Sequence, residues 1–292
     1  MSAVINRNKY REKIMELFEN PDTLPVFAGG EGNEEIFLVD THCHIDGEEY
    51  ERDRDEMIAR AGRAGVKLLV NMGDRMESSE RGVKLAAHYE NVYTGVGVHP
   101  EEAFPFTQAD DDRLAAWTKE PRVIAIGEIG LDYYWEKDEE KRQLQRDMFI
   151  RQLALARDLD LPVCIHDREA HGDMLKILQT EGRENRGVIH CFSGSVELAR
   201  ELLKLGWYLG IDGPVTYKNA KKGLDVVREI PLDRLLLETD SPYLTPHPYR
   251  GRRNEPGLVR LVAEKAAELR GISLAELARQ TTQNARDIYR LA

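Results

Sequence analysis

Short apolar segments alternate with longer amphipathic segments eight times along this chain. The short segments have the length and composition of buried strands, and the longer ones carry apolar residues every three or four positions, which predicts helices. A strand followed by a helix, repeated eight times, is typical of a (β/α)8 TIM-type barrel. The predicted strands are IFLVD (36–40), VKLLVNM (66–72), VYTGVGV (92–98), VIAIGEIG (123–130), LPVCIHD (161–167), GVIHCF (187–192), WYLGID (207–212) and RLLLETD (234–240).

Alternation alone does not show whether the predicted sheet closes. An open, doubly wound sheet has the same order of strands and helices, so it remains the alternative. Length argues against two domains, because the 292 residues less a preface of 35 leave 257, which is the size of one barrel. The sequence therefore predicts a single-domain barrel over residues 36–292, preceded by a short N-terminal helical extension over residues 1–35.

Both ends of the chain carry helix signals. At the C-terminal end, Ser273 and Glu276 have the spacing of a capping box, which predicts a final helix. The first 35 residues contain a candidate amphipathic helix followed by a stretch rich in helix-breaking residues. The apolar face of that candidate helix consists of Tyr10, Ile14, Leu17 and Phe18.

Composition excludes several classes of protein. With 41% hydrophobic residues the chain can bury a core, so overall disorder is excluded. No apolar run approaches the roughly 20 residues that span a bilayer, and the N-terminus lacks a signal-peptide core, so neither membrane insertion nor export is expected. The odd set Cys43, Cys164 and Cys191 does not indicate a disulfide framework. We therefore expect a cytoplasmic protein.

The strongest local signal is the pair His42 and His44 in the segment DTHCH, at the end of the first predicted strand. Successive side chains of a strand point to opposite faces, so both imidazoles point the same way and Cys43 points the other way. Two imidazoles on one side can share a metal ion, although two structural histidines would give the same pattern.

Four other polar residues lie at or near the ends of other predicted strands. In a barrel these ends converge on one mouth, where sites are built. A single strand histidine is more often a core residue, and a single carboxylate often caps a helix, but six such residues on one rim favour a metal site. The four are Glu128, His166, His190 and Asp240.

Four histidines and two carboxylates exceed the three or four protein ligands of a single-ion site. They suit two divalent ions bridged by a carboxylate, for which Glu128 is the candidate. The nitrogen-rich set accepts zinc, nickel, manganese or iron, and magnesium is retained too, so the identity of the ions stays open. The three cysteines are interpreted as small buried residues, because histidines already occupy the metal-facing positions.

An ordered series of motifs resembles the TatD family of metal-dependent deoxyribonucleases, a branch of the amidohydrolase-like barrels. The resemblance covers about residues 36–291 and leaves the first 35 outside. Its motifs are THCHID, GVHP, GEIGLDYY, a glutamine-rich helix beginning near Gln143, LPVCIHDREA, HCFSG, GPVTYKNAKKG and LLLETDSPYLTPHPYRGRRNEP.

The resemblance implies a divalent-metal hydrolase that cleaves DNA phosphodiesters, often from the 3′ end of single strands. By motif position, His42, His44, Glu128 and Asp240 would hold one ion, and Glu128, His166 and His190 the second. Two nearby ions activate water and neutralise the leaving oxygen, so no nucleophilic side chain is required. We take Asp240 as the candidate general base as well as a ligand. Alternatively, it only fixes the first ion and orients the water.

Further residues near the predicted strand ends are candidates for contacts with the substrate. His99 could hydrogen-bond a phosphate or the leaving group, or it could instead fix the turn at Pro100. Tyr133 and Tyr134 could stack on a base, or pack against a loop. Arg168 could contact a phosphate, or form a supporting salt bridge.

The net charge of −11 argues, by itself, against a nucleic-acid partner. Six basic residues nevertheless follow the seventh and eighth predicted strands, and a local basic rim can attract phosphates when the whole chain is acidic. A solvated face is the plainer alternative. The six are Lys218, Lys221, Lys222, Arg250, Arg252 and Arg253, of which Lys218 and Arg252 are taken as substrate-binding candidates.

Three functions remain in comparison. The leading one is a 3′-5′ exodeoxyribonuclease, monomeric by preference, acting on single-stranded DNA or DNA 3′ ends. The second is a related barrel hydrolase for an amide, lactone or ester bond, including the aminoacyl ester of tRNA. Many such enzymes use a modified lysine where this chain carries Glu128, which argues against it. The third is a non-enzymatic metal-binding protein.

Overall fold

Eight parallel strands surround a common axis in the computed structural model, which describes residues 36–291. Each strand pairs with the next in chain order. A bridge between Cys43 and Ser241 joins the first strand to the segment after the last. The barrel prediction is confirmed, and the open-sheet alternative is wrong. The strands are β1 (Leu38–Cys43), β2 (Val66–Met72), β3 (Val92–Val96), β4 (Val123–Asp132), β5 (Val163–Arg168), β6 (Gly187–Ile189), β7 (Tyr208–Ile211) and β8 (Leu235–Leu237).

Helices follow the strands, and several begin at a capping side chain. Asp138 accepts a hydrogen bond from the Lys141 amide. The helix α4 therefore begins at Glu139, three residues before the predicted helical stretch 142–160. Ser273 accepts from the Glu276 amide and starts the final helix as predicted. The helices are α1 (Arg54–Arg63), α2 (Met76–His88), α3 (Gln108–Trp117), α4 (Glu139–Asp158), α5 (His171–Thr180), α6 (Val196–Lys204), α7 (Lys221–Glu229), α8 (Val259–Arg270) and α9 (Leu274–Tyr289).

Within residues 36–291, none of the helices has both the length and the apolar composition needed to cross a membrane. The candidate helix in the first 35 residues lies outside the described residues. The boundary between residues 35 and 36 therefore stays a prediction.

The strands pack on two faces, as the alternation of side chains requires. Leu69 of β2 belongs to a large buried cluster that also contains helix residues such as Phe149 of α4. Its neighbour Val70 belongs to a second cluster, whose helical members are on α9 and include Tyr289. The first cluster is thus the layer between strands and outer helices, and the second is the barrel interior. The interior leaves the carboxyl ends of the strands free for polar residues.

Strand ends differ from the predictions where polar residues find partners. β1 continues past the predicted end at Asp40 because its polar side chains pair across the closure of the barrel. The Thr239 hydroxyl donates to Asp40 Oδ2 at 2.6 Å, and the Thr41 hydroxyl donates to the Leu237 carbonyl at 3.0 Å. Conversely, β6 and β8 end before His190 and Asp240, which lie on the turns that follow.

Gly130 of β4 has a φ of +143°, and a Cβ there would lie 2.0 Å from the carbonyl oxygen of His166 on β5. We expect Gly130→Ala to lower the free energy of unfolding by about 1–3 kcal/mol, because β5 must move to relieve the overlap. Gly223→Ala in α7 is the matched control, since no atom lies within 4 Å of its added methyl group. We expect it to be neutral or stabilising by up to about 1 kcal/mol. Urea unfolding measures both; equal effects would contradict the expectation.

Candidate metal centre

The six residues predicted as metal ligands lie together at the carboxyl ends of the strands. They come from five parts of the barrel, which is why the fold is needed to assemble them. His42 lies on β1 and His44 directly after it, Glu128 on β4 and His166 on β5, His190 after β6 and Asp240 after β8. Glu128 lies inside β4, which continues to Asp132, two residues past the predicted end at 130.

His42, His44 and Asp240 form one side of the cluster. The Nε2 atoms of the two histidines are 3.1 Å apart. Asp240 Oδ1 lies 3.4 Å from His44 Nε2 and 3.7 Å from His42 Nε2. Three ligand atoms thus converge on one point, as the alternation of side chains along β1 predicts for the two histidines.

Glu128 lies between this group and the remaining histidines. Its Oε2 is 3.4 Å from His42 Nε2 and 3.5 Å from His44 Nε2. Its Oε1 is 2.9 Å from His166 Nδ1 and 3.8 Å from His190 Nε2. The two oxygens therefore face different nearest nitrogens, while the ligand atoms of His190 also lie within 4.8 Å of those of His42 and Glu128.

Groups outside the cluster fix the direction of two histidine rings. His44 Nδ1 donates to the Met72 carbonyl at 2.8 Å, and His190 Nδ1 lies 2.8 Å from Glu238 Oε1. A carbonyl only accepts, so His44 Nδ1 carries a proton, and in both rings Nε2 is the nitrogen that faces the other candidate ligands. Second partners of this kind orient histidines that bind metals. The donor set thus fits divalent metal ions.

The pKa values in the cluster reflect burial and mutual charge. Burial alone would raise the pKa of Glu128, but electrostatic interactions with His42 and His99 and a hydrogen bond from His166 outweigh it and hold this pKa well below its usual range. Burial, with the charge of His190, lowers the pKa of His42. Burial would lower the pKa of His190, but the negative charge of Glu238 outweighs this effect and raises the pKa of His190 to about 10. Glu128 is therefore an anion at neutral pH.

His166 has a carboxylate at each ring nitrogen. Nδ1 faces Glu128, and Nε2 lies 3.0 Å from Asp132 Oδ2. Burial would lower the pKa of His166, but these two hydrogen bonds outweigh it and raise the pKa to about 9. A metal ion bound at this ring therefore displaces a proton.

Sequence reasoning did not identify Asp132 and Glu238 as functional residues. Each orients a predicted ligand: Asp132 holds His166, and Glu238 holds His190. Both occur inside motifs already recognised, four residues after Glu128 and two residues before Asp240. Their spacing from these ligands was the available signal.

His99 joins the cluster as well. Its Nδ1 accepts a hydrogen bond from the Glu101 amide at 3.1 Å, so it fixes the turn after Pro100. That bond assigns the proton of the neutral ring to Nε2, which lies 3.7 Å from Glu128 Oε1. Burial, together with the charge of His166, lowers the pKa of His99 to about 3, so the ring is neutral. His99 can therefore fix the turn after Pro100 and also donate a hydrogen bond towards the cluster.

Asp240 is held in place by the closure of the barrel. Its φ is +54°, a conformation that Asp tolerates better than most residues. Its amide donates to the His42 carbonyl at 2.9 Å, and its carbonyl accepts from the Tyr243 amide at 2.8 Å. Burial would raise the pKa of Asp240, but a hydrogen bond from His44 and the charges of His190 and His42 lower it. The carboxylate is thus fixed and ionised.

The aromatic residues after β4 differ from the prediction. The Tyr133 hydroxyl donates to Asp173 at 2.7 Å and accepts from Arg146 at 2.8 Å, so it packs against a neighbouring helix. Tyr134 is exposed, and so is Trp135, which the sequence analysis did not single out. Arg168 lies over the Tyr134 ring, 4.0 Å from its centroid.

The six basic residues of the predicted rim are all exposed, but three have aromatic neighbours within the protein. Arg250 lies 4.1 Å from the Tyr217 ring centroid, and Arg252 lies 5.9 Å from that of Tyr249. Arg253 lies over Tyr50 and binds both carboxylate oxygens of Asp53 at 2.7 Å. Arg253 therefore has a structural partner, which weakens its case as a phosphate contact.

The cysteines nearest the cluster behave as buried small residues. Burial, reinforced by nearby carboxylates, raises the thiol pKa of Cys43 and of Cys164 well above the usual value. Cys164 Sγ lies 3.2 Å from His42 Nδ1, on the side of the ring away from the other ligands. Neither thiol is ionised at neutral pH, so thiolate ligation is not favoured.

Comparisons with known proteins agree with the barrel fold. Residues 39–290 match the family model described as TatD related DNase. The chain is 45% identical over 259 residues to the "Uncharacterized metal-dependent hydrolase YabD" of Bacillus subtilis, covering 87% of this chain and 99% of that protein. It is 38% identical over 260 residues to the "3′-5′ ssDNA/RNA exonuclease TatD" of Cronobacter sakazakii, covering 86% and 97%. The crystal structure of YjjV, a TatD homologue from Escherichia coli K12, superposes with a TM-score of 0.80 at 32% identity, covering 87% and 98%.

Proposed function

Because the chain belongs to the TatD family of metal-dependent hydrolases, we propose that it hydrolyses the phosphodiester bonds of DNA as a 3′-5′ exonuclease on single strands. The observation that carries the proposal is the position of Glu128, whose two oxygens face two sets of histidine nitrogens. Two adjacent ions suit in-line displacement at phosphorus. The relative named as a 3′-5′ ssDNA/RNA exonuclease supports nucleic acid as the substrate and makes RNA the closest competitor.

The proposed ligand assignment is the one that the motif positions imply. His42, His44, Glu128 and Asp240 would hold one divalent ion, and Glu128, His166 and His190 the other. Ligand atoms of His99, Glu128 and His166 also lie within 4.8 Å of one another. Since His99 Nδ1 accepts from a backbone amide, we assign His99 to the substrate rather than to an ion. When bound, such ions supply Lewis-acid polarisation of a phosphoryl oxygen and a lowered pKa for water.

The side chains themselves supply the proton movements. Asp240, ionised and fixed by its backbone hydrogen bonds, accepts the proton of the attacking water. As the P–O bond to the departing sugar oxygen breaks, that oxygen would take a proton from solvent water, and His99 Nε2 donates a hydrogen bond to it or to a phosphoryl oxygen. Arg168, Lys218 and Arg252 would attract the backbone phosphates.

The remaining assignments are part of the same proposal. We assign the protein to the cytoplasm, because three free cysteines suit a reducing compartment. We take residues 36–292 as the catalytic unit, since the cluster is assembled entirely within the barrel. A monomer is the proposed state, because every candidate ligand belongs to one chain.

A screen of metals against substrates tests the proposal. The purified full chain is stripped with EDTA and reloaded with Mg²⁺, Mn²⁺, Zn²⁺ or Ni²⁺, then given single-stranded DNA, duplex DNA or RNA labelled at the 5′ or 3′ end. We expect metal-dependent release of single nucleotides from the 3′ end of single-stranded DNA, and no activity after EDTA. Intact DNA together with cleavage of a small amide, lactone or carboxylic ester would instead establish the second function.

A further inference from the structure

Exposed large hydrophobic side chains are confined to one face of the described barrel. Within residues 36–291 there are three: Tyr134, Trp135 and Tyr243, which are 45%, 61% and 58% exposed. All three lie on segments that follow the carboxyl end of a strand, β4 or β8, so they border the metal-ligand cluster. Grouped exposed apolar side chains beside a site are a candidate surface for ligand binding.

The segment after β4 is rigidly tied to the cluster. Asp132 Oδ1 accepts hydrogen bonds from the amides of Tyr134 and Trp135, both at 2.9 Å, while its Oδ2 contacts His166. One carboxylate thus fixes both a candidate metal ligand and the backbone that presents the two rings. The positions of Tyr134 and Trp135 are therefore coupled to the cluster by direct contacts.

Arg168 completes this surface. Its guanidinium lies 4.0 Å from the Tyr134 centroid and 5.5 Å from the Trp135 centroid, and the two rings are 4.8 Å apart, edge to face. We call Tyr134, Trp135 and Arg168 the aromatic platform. Because Arg168 covers Tyr134, the most exposed ring of the platform is Trp135, and it has a cation beside it.

Tyr243 lies on the other side of the mouth, since β8 is four places from β4 in the ring of eight strands. Its ring centroid is 6.2 Å from that of His44. The Asn254 side chain donates through Nδ2 to the Tyr243 carbonyl at 2.6 Å, and the Tyr243 amide donates to the Asp240 carbonyl. Exposed aromatic rings therefore stand on opposite sides of the candidate ligands, and both are anchored to them.

We propose that Trp135 of the aromatic platform and Tyr243 stack unpaired nucleobases on the two sides of the metal-ligand cluster. The proposal rests on the proposed function and names its substrate more closely. The substrate is a single strand of several nucleotides, which the protein binds through the faces of the bases. Stacking on aromatic rings is tolerant of sequence, because every base has a π face. Paired bases in a duplex do not offer these faces, so the two rings select single strands.

The chemistry of the surface favours a nucleic acid over an apolar ligand. Trp135 also forms one wall of a groove of about 260 Å³, lined by Pro100, Glu101, Glu136 and Lys141 among others. The carboxylates there repel phosphates, whereas Arg168 beside the ring attracts them. A strand therefore lies with a base towards Trp135 and a phosphate towards Arg168.

Binding to a single strand that resists hydrolysis tests the proposal without depending on turnover. The probe is a 5′-fluorescein (dT)12 with phosphorothioate linkages, titrated by anisotropy with the Mn²⁺-loaded full chain. We expect Trp135→Ala and Tyr243→Ala each to weaken binding by about 5- to 100-fold, the range for one stacked base. Trp135→Phe, which keeps a ring, should stay within about threefold of the wild type.

A matched probe separates stacking from charge. An abasic 12-mer with the same linkages keeps every phosphate, so Trp135→Ala should leave its affinity unchanged. Arg168→Ala should weaken the binding of both probes. Arg113→Ala is its control, because Arg113 also lies over a tryptophan, Trp117, but on the outer helix α3, and also carries one positive charge. It should change neither affinity.

The outcomes distinguish the two proposals. If the wild type binds and degrades single-stranded DNA but Trp135→Ala and Tyr243→Ala bind (dT)12 as tightly as the wild type, the stacking proposal is wrong and the nuclease stands. Equal losses on the (dT)12 and abasic probes would also overturn it. A wild type that neither binds nor cleaves nucleic acid, while hydrolysing a small ester, overturns both. Circular dichroism confirms that each variant is folded.

Discussion

Glu128→Gln is expected to lower turnover by at least about 1,000-fold and to reduce the number of bound metal ions. The amide keeps the shape of the side chain, but it is neutral and offers one acceptor atom where the carboxylate offers two. Glu128 Oε1 and Oε2 face different histidines, so the change weakens both sides of the cluster together. Charge stabilisation by the ions is worth several kcal/mol, or about tenfold in rate for every 1.36 kcal/mol.

Metal content by mass spectrometry and turnover on single-stranded DNA measure the two effects of this change. Glu80→Gln is the matched control: it removes the same charge from the exposed face of α2, where Glu80 pairs with Lys84. It should leave both quantities unchanged. If Glu128→Gln keeps the full metal content and near-normal turnover, the bridging role is wrong. If it loses metal but the protein keeps its biological role, the non-enzymatic function gains support.

The cluster could be predicted from the sequence because the position of each member follows from a local pattern in the chain. His42 and His44 lie two residues apart on one strand, so the alternation of side chains fixes their common direction without any knowledge of the fold. Glu128, His166, His190 and Asp240 each follow or interrupt an apolar run, and the closed barrel brings those positions to one mouth. The only further assumption was that eight strands close.

The supporting residues could not be predicted in the same way, because their partners are set by packing between distant segments. Glu238 and His190 lie 48 residues apart along the chain and follow β8 and β6, which β7 separates in the barrel, yet their side chains are in contact. Arg253 and Asp53 are 200 residues apart, and their ion pair shows that a basic residue near the mouth need not face the substrate. Charge patterns in a sequence do not reveal which cations already have partners.

The aromatic residues after β4 illustrate a similar limit. Tyr133, Tyr134 and Trp135 are consecutive, and all three have the composition expected of a stacking surface. The structure separates them by side-chain direction: Tyr133 turns to Asp173, while the other two face solvent. The hydrogen bonds that Asp132 accepts from the following amides determine this turn. A tight turn of this kind has no regular alternation of side chains, so the sequence does not indicate which way each side chain points.

Asp240→Asn is expected to keep the fold and most of the metal while lowering turnover by at least about 100-fold, the loss typical of a removed general base. Asn tolerates a φ of +54° as Asp does, so the backbone hydrogen bonds with His42 and Tyr243 should persist. The remaining oxygen of the side chain can still act as a ligand. The property removed is the capacity to accept a proton from water.

Metal content and turnover, measured on the same preparation, separate the two roles considered for this residue. If Asp240 is the base, turnover falls while metal content stays near that of the wild type; if it only fixes the first ion, both fall together. Asp233→Asn, an exposed change on the turn before β8, should alter neither. Turnover of Asp240→Asn within a few-fold of the wild type would exclude the general-base role. The attacking water would then have to lose its proton to another group, and the only other carboxylate that faces the cluster's histidines among the candidate ligands is Glu128.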